Sequence, residues 1–354
     1  MEAIVTSPSP PQRLIGDRTA HKAVGIWLMI CCALLFAMVV VGGATRLTHS
    51  GLSIVEWQPI IGTLPPLGDQ DWNELFDKYR QTPQYKKVNS GMTLAEFKNI
   101  FWWEYAHRLL GRAIGLVFLV PLAYFALRRQ LSRALVLRLA AIFLLGGIQG
   151  ALGWYMVQSG LVDDPRVSQY RLTAHLTLAF AIYGAILWTA LDLLLARRQP
   201  PSPIPGWLRR ASFALTALIC AQIVAGGFVA GIGAGFAYNT FPLMNGHWVP
   251  PEIFNLEPRY LNFFNNVATV QFDHRLLASL VAAAVPMFWW MSLRMPLSAD
   301  ARFACNLILA ATVLQIGLGI AALLLSVPVA LGAAHQAGAL LLFSATLLVN
   351  HRLR

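Results

Sequence analysis

Eight stretches of this 354-residue chain are each long and apolar enough to cross a lipid bilayer, and nothing else limits the fold so strongly. A hydrocarbon core about 30 Å thick takes roughly 20 apolar residues in a helix. The expected spans are 24–45, 105–127, 134–157, 172–195, 208–230, 273–293, 303–326 and 330–349. Composition agrees, with 57% apolar and only 12% charged residues. A soluble globule could not hide so much apolar surface behind so few charges. Disorder, a collagen-like rod and a nucleic-acid-binding domain are excluded on the same ground. The expected fold class is an all-α integral membrane protein.

The basic excess, 27 Lys and Arg against 16 Asp and Glu, is then a topological signal. The tail 1–23 is polar and Pro-rich, and the first span reads as a retained signal anchor. On the side of that tail lie Arg13, Arg18 and Lys22, then Arg128, Arg129, Arg133 and Arg138. Arg197, Arg198, Arg209, Arg210, Arg294, Arg302, Arg352 and Arg354 fall on the same side. The long loops 46–104 and 231–272 carry no such excess. Both termini are therefore expected in the cytoplasm, and the long loops in the periplasm of a bacterial inner membrane or its mitochondrial equivalent.

The two halves match. Setting His107 on His274 aligns HRLLGR with HRLLAS, and Gln149-Gly-Ala-Leu-Gly153 falls near Gln315-Ile-Gly-Leu-Gly319. Gly42-Gly43 answers Gly226-Gly227, and Pro65-Pro66 answers Pro250-Pro251. An even number of spans separates equivalent helices, so the repeats share one orientation about an axis along the membrane normal. The expectation is two four-helix bundles, 24–200 and 201–354.

Of eight histidines, His21 and His351 fall in the cytoplasmic tails, and His49 and His247 in outer loops. His107, His175, His274 and His335 each lie near the start of an even-numbered span, at similar depth near the outer face. An ionisable residue inside a membrane is costly and marks function by default. One such histidine has an ordinary reading as an interhelical hydrogen bond; four at repeat-equivalent positions favour ligands.

Zinc or copper would want three or four donors, and carboxylates at that depth are scarce. A haem iron wants two axial ligands from opposite sides, which a four-helix bundle offers. Gly111, Ala179, Ala278 and Ala339, one turn below each histidine, are small enough to admit a flat macrocycle. Arg108, Arg275 and Arg171 lie where they could bind propionates, although Arg171 equally suits lipid phosphate.

The halves differ at one acidic position. Glu104 shares a helix face with His107, whereas its counterpart is Gln271. One bundle thus has two ligands and a candidate acid/base, which suggests a reacting porphyrin there and an electron-transfer haem in the other. The alternative for Glu104 is an interfacial carboxylate paired with Arg108. Cys31, Cys32, Cys220 and Cys305 all lie within spans and read as packing residues.

The first outer loop has a candidate surface helix at 69–79, with Trp72, Leu75, Phe76 and Tyr79 towards the membrane. Thr93-Leu-Ala-Glu96 reads as a capping box opening a helix that runs into the second span. Trp102, Trp103 and Tyr105 mark the interface.

These residues together resemble the haem A synthase family: the duplicated halves, Glu104-Tyr-Ala-His107-Arg108, His175, Phe-Asp-His274-Arg275 and Ala-His335-Gln. GGATRLTHSGLSIVEWQPIIGTLPP is similar to that family's first span and loop, and the likeness covers nearly the whole chain. The absence of an outer-loop cysteine pair is similar to the alphaproteobacterial and mitochondrial branch. The resemblance implies oxidation of the C8 methyl of haem O to the formyl of haem A, by successive hydroxylations, for terminal oxidases. It implies a haem b cofactor between His274 and His335, and substrate haem O with His107, His175 and Glu104. Arg108 and Arg275 are the further haem contacts. Haem O synthase, an electron-transfer partner, membrane lipid and a second copy of the chain are the expected partners.

Two other readings use the same features. A di-haem b-type cytochrome would move electrons from quinol, but its haems would stack across the membrane rather than lie near one surface. A transporter would also be built from parallel repeats, yet would show broken helices and polar midplane residues. An absorption spectrum separates the transporter from both haem proteins.

Overall fold

The computed structural model describes residues 13–57, 61–195 and 204–354. The expectations placed on the tail before residue 13, on Gln58-Pro59-Ile60 of the family-like segment, and on Arg197, Arg198 and the boundary at 200/201 lie outside the described residues.

All eight spans are helices. They are α1 (Arg13–Leu47), α4 (Leu94–Leu127), α5 (Arg133–Gln158), α6 (Gln169–Leu194), α7 (Gly206–Ile232), α9 (Val267–Leu293), α10 (Ala299–Leu324) and α11 (Val329–Leu353). Three short α-helices, α2 (Asp69–Arg80), α3 (Pro83–Lys87) and α8 (Asn262–Asn265), belong to the long loops between spans. No strand occurs among the described residues.

Local chemistry starts these helices. Thr93 and Glu96 form the expected capping box, so α4 begins well before its apolar span. Ser132 accepts from Leu135 N, Ser298 from Ala301 N, and Asn266 from Ala268 N and Thr269 N. Each satisfies an amide that the first helical turn leaves without a partner.

α11 runs further than the hydropathy suggested. His351 is not in a tail but buried in its last turn, with Nε2 3.3 Å from Asp192 Oδ1 on α6. Arg354 binds the same carboxylate, and Arg138 reaches its other oxygen at 3.3 Å. His351 and Arg354 thus tie the last turn of α11 to Asp192 of α6, which Arg138 of α5 also reaches.

The helices close into two rings. In the first, α1 packs on α4, α4 on α5, α5 on α6 and α6 on α1; in the second the order is α7, α9, α10, α11. Thus α4 and α6 are diagonal in one ring, as α9 and α11 are in the other. The rings join where α1 meets α11, where α6 meets α7, and where α6 meets α11. Cys31 and Cys32 lie in one apolar core with Trp27, Phe180 and Ile186, and Cys305 lies in the other with Leu208, Ile219 and Ile308. The four cysteines are free, and their role is packing.

Outside the spans, α2 differs from the amphipathic expectation. Trp72, Phe76 and Tyr79 turn onto Phe97, Phe101 and Tyr105 of α4 instead of towards lipid. The early start of α4 supplies the aromatic face that makes this possible. Burying each such ring stabilises by roughly 1.5–3 kcal/mol, enough to fix a short helix. Tyr105 is accordingly buried, its hydroxyl donating to Thr63 O at 2.7 Å, while Trp102 and Trp103 remain exposed.

Candidate functional site

The four histidines occupy the diagonal helices: His107 on α4 and His175 on α6, His274 on α9 and His335 on α11. The helices that bear each pair are the diagonal members of their ring.

Every ring lies against a glycine on a neighbouring helix. A methyl at Gly42 of α1 would sit 3.1 Å from His107 Nε2, and one at Gly226 of α7 would sit 3.2 Å from His274 Cε1. A methyl at Gly153 of α5 would lie 2.9 Å from His175 Cε1, and at Gly319 of α10 the same distance from His335 Cε1. The two halves therefore seat their histidines in matching ways. Of the small residues singled out by sequence, Gly111 instead faces Met38, where a methyl would lie 3.4 Å from Cε. The four backing glycines were legible only as marks of the repeat.

Glutamines complete the cradles. Gln149 Nε2 donates to His175 O at 3.0 Å, and Gln315 Nε2 donates to His335 O at 3.0 Å. Gln222 Nε2 lies 3.2 Å from His274 Nδ1 and 3.3 Å from its Nε2. His175 Nδ1 and His335 Nδ1 are buried without hydrogen-bond partners. Such an atom costs about 1–3 kcal/mol and calls for an explanation. Among the described residues no group of three or more His, Cys, Asp or Glu side chains could hold a metal. An imidazole pair across each ring, one member of which has a buried unpaired nitrogen, fits a haem iron, which takes two axial ligands.

Glu104 is 3% exposed and is matched on both oxygens. Oε2 accepts from Ser53 N at 2.8 Å, Ser53 Oγ at 2.7 Å and Ile54 N at 2.9 Å. Oε1 accepts from Arg108 Nε at 3.0 Å and Nη2 at 2.6 Å. Arg108 also donates to Ile54 O and Glu56 O. The pair staples the segment after α1 onto α4.

The other half uses an uncharged version. Gln271 Nε2 donates to Ala234 O at 2.9 Å and Ala237 O at 2.6 Å, and its Oε1 lies 3.4 Å from Arg275 Nη2. Arg275 donates to Tyr238 O at 2.6 Å and Thr240 O at 3.0 Å. Both arginines thus hold the loop that follows the first helix of their ring. Ser53 and Ile54 were missed in the sequence, since nothing in their spacing points to a carboxylate fifty residues away. Arg171 donates to Tyr155 O at 2.7 Å with its guanidinium 3.6 Å above the Tyr155 ring.

Eight membrane-length helices, closed into two rings that each seat a pair of imidazoles against glycine, define a multi-pass membrane protein. The family model described as COX15-CtaA, cytochrome oxidase assembly protein, matches residues 25–347, and the chain belongs to that family. It is 61% identical to the Heme A synthase of Nitrosospira multiformis over 356 residues, covering 100% of this chain and 99% of the relative. Identity to the Heme A synthase of Nitrosomonas eutropha is 57% over 352 residues, 98% of this chain and 99% of that one. Heme A synthase COX15 of Arabidopsis thaliana is 45% identical over 351 residues, 96% of this chain and 76% of the plant protein.

Proposed function

We propose that the chain is a haem A synthase, an oxidoreductase that converts haem O to haem A by successive hydroxylations of the C8 methyl group for cytochrome oxidase assembly. Identity to the Heme A synthases of two bacteria over essentially the full length supports the activity. The observation that carries the site is the placement of one imidazole pair on the diagonal of each ring.

In this reading His274 and His335 hold a haem b cofactor, and His107 and His175 hold the substrate haem O. When bound, such a haem would supply a one-electron redox centre. The backing glycines lie against the imidazoles, Gln149 and Gln222 reach ring nitrogens of His175 and His274, and Gln315 holds the main chain of His335. Glu104 lies on the substrate side, where its carboxylate can hold or move a proton at a hydroxylated product. Arg108 fixes that carboxylate and, with Arg275, supplies positive charge towards haem propionates.

The two rings are read as a duplication about an axis along the membrane normal, with the N-terminal bundle for substrate and the C-terminal bundle for cofactor. The charge asymmetry of the loops supports cytoplasmic termini and haem sites near the periplasmic side. Haem O synthase, an electron-transfer partner, lipid and a second copy of the chain are the partners in this reading. Chromatography of haems from membranes with and without the protein tests it: loss of haem A with retention of haem O is expected. Unchanged haem A would overturn it.

A further inference from the structure

Neighbouring residues on a helix point about 100° apart, so the members of each glycine pair face different partners. Gly42 faces His107 of its own ring, but a methyl at Gly43 would overlap Oε1 of Gln336, the residue that follows His335 in the other ring. The second pair repeats the arrangement. Gly226 faces His274, whereas a methyl at Gly227 would lie 3.0 Å from both Cγ2 and Oγ1 of Thr173, two residues before His175.

Each contact has a companion one turn away. A methyl at Gly332 would sit 2.5 Å from Leu47 Cδ1, and one at Gly231 would sit 2.5 Å from Gln169 Cβ. Arg46 Nη2 donates to Ala230 O at 2.6 Å and to Gly231 O at 3.2 Å, tying the end of α1 to the end of α7. Thr173 Oγ1 and His335 Nδ1 are buried and lack hydrogen-bond partners. Thr173 is buried where it meets Gly227, and Gln336 is half-buried where it meets Gly43. Packed interiors transmit such displacements because they have little slack.

We propose that the second glycine of each pair is a positioning residue for a histidine of the opposite bundle: Gly43 sets His335 through Gln336, and Gly227 sets His175 through Thr173. The substrate and cofactor sites are thereby held in register across the bundle interface. This rests on the assignment of haem b to His274 and His335 and of haem O to His107 and His175.

The test uses the purified full-length holoprotein and four variants, G42A, G43A, G226A and G227A. Electron paramagnetic resonance and redox titration report on the resident haem, and a difference-spectrum titration with haem O reports on the substrate site. The expected pattern is crossed. G43A, together with G226A, shifts the g values and midpoint potential of the resident haem, while G42A and G227A leave these unchanged and weaken haem O binding by about tenfold. Q336S alone should also shift the resident haem, and the double variant G43A/Q336S, which makes room for the methyl, should return it towards the parent values. Effects of Gly43 and Gly227 confined to their own bundles would overturn the coupling, as would failure of the double variant to restore the parent signature. A parent protein without a bis-imidazole haem would overturn the site assignment first, and the coupling with it.

Discussion

Arg108 Nη2 lies 2.6 Å from Glu104 Oε1, one turn along the same helix, in a pair almost closed to solvent. At the matching turn of α9 the partner of Arg275 is the carboxamide of Gln271. The same staple is built once with an ion pair and once without. Stapling alone does not require a carboxylate.

That comparison shapes the expectation for Glu104→Gln. Three donors converge on Oε2, and an amide nitrogen there would oppose them, so a stability loss of about 1–3 kcal/mol is expected. The variant should still fold and retain haem at His274 and His335. It should form little haem A and accumulate the alcohol intermediate, as read by chromatography of extracted haems. Near-normal conversion would reduce Glu104 to a structural partner of Arg108.

His274→Ala or His335→Ala should abolish the low-spin b-type spectrum, because each removes one of the two donors in the C-terminal ring. Methionine at either place should keep the haem and raise its potential, since thioether ligation favours the ferrous state. A full low-spin spectrum in either alanine variant would contradict the assignment.

His107→Ala and His175→Ala should behave oppositely. The resident haem spectrum is expected to persist while haem A production stops. Loss of that spectrum from either change would mean that the bundles do not hold separate groups.

Phe97→Ala tests the outer aromatic cluster apart from the haem sites. Phe97 is fully buried between Phe76, Tyr79 and Phe101, and its truncation should cost about 3–5 kcal/mol locally. Faster proteolytic nicking within 64–92, with an unchanged resident haem spectrum, is the expected result. An intact loop under the same digestion would show that the cluster does not hold it.

The spans and the histidines were legible because bilayer thickness and the cost of an imidazole in lipid act on each segment alone. The capping box at Thr93 and Glu96 was legible for the same reason, its partners being one turn apart. The grip of Ser53 and Ile54 on Glu104 was not, nor was the burial of Trp72, Phe76 and Tyr79 on α4. Both depend on which distant surface the chain folds back upon. The glycine pairs fall between: sequence showed that they recur, and only packing shows what they touch.

The diagonal placement of the histidines has a consequence for how they are held. Each side wall of a bundle joins one histidine-bearing helix to one without, α4 to α5 or α6 to α1, and likewise α9 to α10 or α11 to α7. No wall can therefore shift without changing what seats an imidazole, because each helix that bears no histidine carries a glycine against one: α1 through Gly42, α5 through Gly153, α7 through Gly226 and α10 through Gly319. The helices without histidines act as keystones for those that have them.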